Sequence, residues 1–185
     1  AAERGLVVAA LRSFEQWDAH PQAQAVARQP LLTLERIGDA PALSLPSLRA
    51  DQRPLTGLRV LELTRIVAGP VAGRTLAALG ADVMLVNAPH LPNIGLIAET
   101  SRGKLSCHLD LRLADQRRAM DHLVAQADVF MQGYRPGALE ALGYGARALA
   151  EIRPGIVVVS LSAYGEHGPW ANRRGFDSLV QSETG

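Results

Sequence analysis

The chain has 185 residues, 48% hydrophobic and 20% charged, which is enough for one domain with a core, or one domain plus an appendage. A net charge of +1 with 4% aromatic residues excludes an electrostatic or base-stacking case for nucleic acid. No stretch approaches the roughly 18 apolar residues of a membrane-spanning helix. The lone cysteine, Cys107, excludes an internal disulfide, so a reducing, cytoplasmic setting is the expectation.

Taken in chain order, the first 50 residues differ from the rest. "GLVVAALRSFEQWDAHPQAQAVARQP" predicts helices broken by Pro21, with Phe14 and Trp17 as packing residues. "LLTLERIG" reads as a strand ending in a turn. "DAPALSLPSLRADQRP", with three prolines, reads as an extended linker. These features put a boundary near Asp51, with a tail and linker over 1–50 and an α/β lobe over 51–185.

From Leu55 onward the pattern is α/β. "GLRVLELT" is an apolar run that suits a buried parallel strand. "PVAGRTLAALG" follows as a helix, with Pro70 in its first turn and Gly80 at its end. "ADVMLVNA" is the next strand, which completes a strand–helix–strand unit. "KLSCHLDL" alternates like a strand and places Cys107 as a small buried side chain. "RLADQRRAMDHLVAQA" is an amphipathic helix with Leu113, Met120, Leu123 and Val124 on one face. "DVFMQGY" is a strand, and two short helices follow, the first begun by Pro136 and ended by Gly143. "GIVVVSLSAYG" reads as the longest strand. A polar loop then leads to a helix starting near Asp177, whose apolar face of Phe176, Leu179 and Val180 stops at Gly185. That face, left without a continuation, reads as part of a longer protein.

Few motifs carry chemistry by themselves. His20, His90, His108, His122 and His167 pair with neither one another nor Cys107 at ligand spacing, so no metal site is expected. No G-x-S-x-G elbow supports a serine hydrolase. "TRIVAGPVAG" has Gly69 and Gly73 but lacks the third glycine of a dinucleotide fingerprint. Gly69 permits close backbone approach, and the free N–H groups of the next helix suit an anion, with Arg65 and Arg74 nearby. A plain strand-to-helix turn accounts for the same residues. Tyr134, Arg135 and the Gly168-Pro169 pair follow predicted strands at the end of the sheet where open α/β folds bind ligands.

Together these segments resemble the family III CoA-transferases, the CaiB/BaiF group that also holds the α-methylacyl-CoA racemases. The likeness runs from about Pro54 to Gly185 through four motifs in order: "RPLTGLRVLELTRIVAGPVAGRTLAALGADVMLV", "GKLSCHLDLR", "ADVFMQGYRPGALEALG" and "RPGIVVVSLSAYGEHGPWANRRGFDSLVQSETG". The resemblance implies a Rossmann-like α/β lobe, with subunits interlocked like chain links. It implies a reaction that moves CoA from an acyl-CoA to a carboxylic acid through an aspartyl intermediate, with acyl-CoA as substrate and no tightly bound cofactor or metal. The implied CoA-binding set is Arg65, Val67, Ala68, Gly69, Pro70, Lys104, Gly133, Tyr134 and Arg135. Arg65 and Val67 stand where such transferases often carry a His or polar residue and a Gln. Gly133 replaces an Asn, and Asn87, Ala88 and Pro89 replace a basic residue.

The family's nucleophilic aspartate is expected beyond Gly185, so no catalytic residue is assigned within this chain. Asp177 is expected to cap the last helix. The racemases place a catalytic His where Phe176 stands, which ranks that reading below a transferase. Residues 1–50 resemble the tail that ends a family III half, so a homodimer or a second family-type half of one polypeptide is the expected partner. A non-catalytic structural half and a nucleotide-binding Rossmann domain are the alternatives.

Overall fold

The computed structural model describes residues 1, 4, 6–41, 43, 44 and 47–185. Five strands form around the apolar runs: β1 (Arg59–Leu63), β2 (Asp82–Asn87), β3 (Leu105–His108), β4 (Val129–Gln132) and β5 (Val157–Ser160). All neighbours are parallel, in the order β3-β2-β1-β4-β5. This is the Rossmann order, in which the chain reverses its direction of travel across the sheet beside β1.

Parallel strands need crossovers, and helices supply them on both faces. α3 (Ala68–Ala78) joins β1 to β2, and α4 (Ile97–Thr100) precedes β3. α5 (Ala114–Val124) precedes β4, and α6 (Ala146–Ile152) precedes β5. Alternation along β1 sorts its side chains. Val60 packs with Val83 and Ala77 of α3, while Leu61 and Leu63 pack with Phe130, Met120, Val124 and Leu149 on the other face. Phe130, Met120, Val124 and Leu149 are fully buried there.

Spatially the chain forms two compact units, residues 36–160 and a second made of 1–35 with 161–185. The position near Asp51 falls inside the first of these. In the second unit, α1 (Phe14–Asp18) and α2 (Pro21–Val26) are joined at Pro21, which occupies the first turn of α2, and α7 is Asp177–Thr184. Gln22, fully buried, organises the loop after Tyr164. Its Nε2 donates to the Tyr164 and His167 carbonyls at 2.8 and 2.7 Å, and its Oε1 accepts from the Trp170 N–H at 2.7 Å. Gly168 at φ 90° lies against Gln22, where a Cβ would collide. Arg173 stacks over Trp170 at 4.2 Å, and Trp170 meets His20 and Trp17. Buried Glu183 receives the Tyr164 hydroxyl at 2.5 Å and pairs with Arg173 at 2.8 Å.

Several sequence expectations change. "LLTLERIG" forms no strand: no strand pairs with it among the described residues, and Leu31, Leu32 and Leu34 are 99%, 81% and 98% exposed. An alternating pattern needs a partner ladder before it becomes a strand. The linker forms no helix or strand among its described residues, and 42, 45 and 46 lie outside them. β5, expected to be longest, has four residues, against six in β2. Helix α3 starts two residues before Pro70. The helix expected after Pro136 is a single 3-10 turn, Glu140–Leu142, stopped by Gly143 at φ 92°. Leu113 is the exposed N-cap of α5 rather than part of its apolar face, and Phe14 is 70% exposed. Asp177 does not cap α7. Phe176 holds the N-cap position, and the Asp177 carboxylate accepts from Gln181 one turn on.

Candidate functional site

The carboxyl end of β1 is where the sheet order reverses, so side chains leaving β1 there have helices on neither side to cover them fully. The chain passes through Thr64, Arg65, Ile66 and Val67 before α3 begins. Ile66 sits at φ 75°, the left-handed region that a β-branched side chain disfavours. Val67 is the N-cap at φ −125° and ψ −70°, with no side-chain cap, so the first N–H groups of α3 have no intrahelical acceptor. Gly69 lies so close to Thr64 that any Cβ would collide with it.

Beside this turn lies a shallow cleft that opens to solvent. Thr64, Arg65 and Ile66 line it from β1, Pro70 from α3, and Leu85 and Asn87 from β2. Asn93, Ile94, Ile97 and Thr100 line it from the loop and α4. Arg65 alone among these is charged. Its Nη2 donates to the Pro92 carbonyl at 2.6 Å, and its Nε is buried with no hydrogen-bond partner among the described residues. The Asn93 amide donates to Asn87 Oδ1 at 3.0 Å. The lining thus combines an apolar wall with two amides and one cation.

Behind the cleft, Glu62 and Lys104 form a buried ion pair at 2.7 Å, both side chains 0% exposed. Burial pushes the Glu62 carboxyl up, and the contacts with Lys104 and Thr64 pull it back. The Thr64 hydroxyl donates to Glu62 Oε1 at 2.6 Å, and Lys104 Nζ donates to the Pro70 carbonyl at 2.8 Å. Arg74 does not add free charge to the cleft. It pairs with Glu99 of α4 at 2.6 Å, which also takes Arg102 at 2.8 Å.

Of the residues singled out in the sequence, Arg65 and Pro70 line the cleft, and Val67 and Ala68 are exposed at the start of α3. Lys104 is not in the lining; its ammonium is taken up by Glu62 and Pro70. Gly133 follows β4, its N–H donating to the Leu63 carbonyl at 3.1 Å and its Cα facing Thr64. Tyr134 is half-buried. Burial raises its phenol, and the nearby Arg65 charge offsets part of that rise. Arg135 is exposed and opens the next turn. No cluster of three or more His, Cys, Asp or Glu side chains is placed to hold a metal among the described residues. Cys107 is half-buried, and burial pushes its thiol up. Glu62, Thr64, Asn93 and α4 went unread in the sequence. Glu62 did leave a signal, as a lone carboxylate inside an apolar parallel strand, where an unpaired charge is not tolerated.

Residues 55–185 match the model of CoA-transferase family III. An acyl-CoA transferase of Gibberella moniliformis is 35% identical over 99% of this chain and 34% of its own length. The probable fatty acyl-CoA transferase Rv3272 of Mycobacterium tuberculosis is 38% identical over 72% of this chain and 37% of its own. The crystal structure of Rv3272 superposes with a TM-score of 0.62, covering 68% of this chain and 39% of that one. A CaiB/BaiF family protein from Brucella suis, 35% identical, also gives 0.62, over 71% of this chain and 39% of its own. The chain spans about a third of the length of the curated relatives it matches. The family model covers well over half of the sequence, and the chain belongs to CoA-transferase family III.

Proposed function

We propose that the full polypeptide carrying this lobe moves coenzyme A between an acyl-CoA thioester and a small carboxylic acid. The lobe contributes the cleft that takes the nucleotide end of CoA. The observation that carries this reading is the position of Arg65, the one charged residue lining a cleft at the carboxyl end of β1. CoA presents phosphates beside an adenine ring. Arg65 suits the phosphates, and Ile66, Ile94 and Ile97 suit the ring. Val67 and Pro70 shape the turn, while Gly133, Tyr134 and Arg135 form the rim beyond β4. Lys104 contributes from behind the cleft, by holding Pro70.

The chemistry requires a carboxylate that attacks the thioester carbon and releases CoA thiolate, leaving an acyl–enzyme anhydride. No carboxylate lines the cleft among the described residues, and Glu62 is engaged by Lys104. We therefore assign the nucleophile to an aspartate outside this segment, in a cytoplasmic homodimer or in a polypeptide with a second family-type half. The lack of a carboxylate in the cleft also favours a second reading, a non-catalytic half that completes the fold of an active one.

Calorimetry with CoA and the full polypeptide tests the binding reading, and Arg65→Ala is expected to weaken binding about tenfold. Mass spectrometry after incubation with acyl-CoA tests the chemistry, with an acyl or CoA adduct on an aspartate expected. CoA binding without adduct or exchange across a broad panel of acids selects the non-catalytic half. Absence of CoA binding overturns the transferase reading.

A further inference from the structure

We propose that Glu62 and Lys104 are positioning residues: they clamp the strained β1–α3 turn into the shape the cleft requires without lining it. The inference rests on the reading that this cleft takes acyl-CoA. Both side chains are fully buried, and neither is among the lining residues. A buried ion pair is a weak source of stability, because desolvation offsets its attraction. Its presence here calls for another explanation, and its contacts supply one.

The network ties down both sides of one short segment. At the end of β1, Thr64 donates to Glu62 Oε1 at 2.6 Å. At the first turn of α3, Lys104 donates to the Pro70 carbonyl at 2.8 Å while standing 2.7 Å from Glu62 Oε2. Between these points run Arg65, strained Ile66 and uncapped Val67. Strain of this kind persists only where the surroundings over-determine the backbone. Gly73 and Gly69 complete the clamp. Their missing Cβ atoms let α3 approach until Glu62 and Thr64 fill the space a side chain would occupy. Thr64, Arg65, Ile66 and Pro70 all line the cleft, so the clamp sets the wall that the ligand meets.

The test compares the wild-type full polypeptide with the E62L/K104M double variant, an apolar pair of similar volume. Buried pairs so replaced often keep or gain thermal stability. The expected result is an unchanged or higher melting temperature together with a KM for acyl-CoA raised about tenfold and kcat within about threefold of wild type. Amide exchange over residues 65–71 is expected to quicken by about tenfold. A stably folded double variant with wild-type KM and wild-type exchange overturns the proposal, because the pair would then be structural only. If the double variant fails to fold, E62Q carries the same test: KM raised about threefold supports the clamp, and wild-type KM with wild-type exchange overturns it. If wild-type protein shows no saturation with acyl-CoA, the CoA reading fails, and the exchange comparison alone decides whether the clamp holds the turn.

Discussion

Glu62 Oε2 occupies the space that a Cβ on Gly73 would need, and Lys104 Nζ stands 2.9 Å from the same point. The glycine is therefore part of the ion pair's cavity. Gly73→Ala gains the usual helix preference of alanine, about 1 kcal/mol. It nonetheless pushes the carboxylate off the ammonium, and a net loss of about 2–4 kcal/mol is expected. Urea denaturation gives the number, and an unchanged or higher midpoint would count against the geometry.

Removing one partner of the pair strands the other. Lys104→Met leaves the Glu62 carboxylate buried without its counter-charge, and a loss of about 3–5 kcal/mol is expected. Adding Glu62→Leu in the same chain is expected to recover nearly all of it, a non-additivity that a double-mutant cycle measures. Additive losses would show that the two side chains do not share one network.

Ile66 holds a left-handed backbone at φ 75°. A glycine there relieves about 1–2 kcal/mol of backbone strain while it deletes a half-buried side chain and adds chain entropy to the unfolded state. We expect Ile66→Gly to unfold within about 1 kcal/mol of wild type, whereas Ile66→Val, which keeps the β-branch, brings no relief. A loss well above that size in the glycine variant would mean the strain is small.

Tyr164 responds to alkali. Burial, and then the hydrogen bond to Glu183, push its phenol from 10.0 up to about 12. The folded value lies above the unfolded one, so its contribution is fully present below about pH 10 and fades as pH rises toward 12. The unit built from residues 1–35 and 161–185 should therefore loosen across that interval. Ultraviolet titration of the tyrosinate band, compared with Tyr164→Phe, checks it. A Tyr164 ionisation near pH 10 would contradict the burial.

Gln22→Ala removes the partner of two carbonyls and one N–H at once. At about 1 kcal/mol for each bond, a loss of about 3 kcal/mol is expected, with faster amide exchange at Trp170. Wild-type exchange at that amide would show that another group holds it.

Much of the sheet was legible because burial on both faces writes a continuous apolar run, as in "RVLEL" and "DVMLV". Met120 and Val124 likewise marked the buried face of α5 through the helical repeat. The alternation in "LLTLERIG" misled, since pairing depends on a neighbour that no local pattern records. The short α4 has too few residues to show a period. At the site, Ala68-Gly69-Pro70 announced the turn, but the meeting of Glu62 with Lys104 is non-local. A charged residue in each of two separated segments says that partners are needed; which pair meets is decided by the parallel order of β1, β2 and β3.

Gln22 and the carbonyl it grips at Tyr164 are 142 residues apart in the chain. During synthesis, α2 leaves the ribosome long before its loop exists. At about 5–20 residues per second, that wait is roughly 7 to 28 s. The α/β sheet lies between them in sequence and is complete first. For that interval the amide of Gln22 has only water as its partner, and the aromatic faces of Trp17 and His20 lack Trp170. The segment from Trp17 to Gln22 is thus made well before the loop that completes it, and that interval is the window in which a chaperone or protease would meet it.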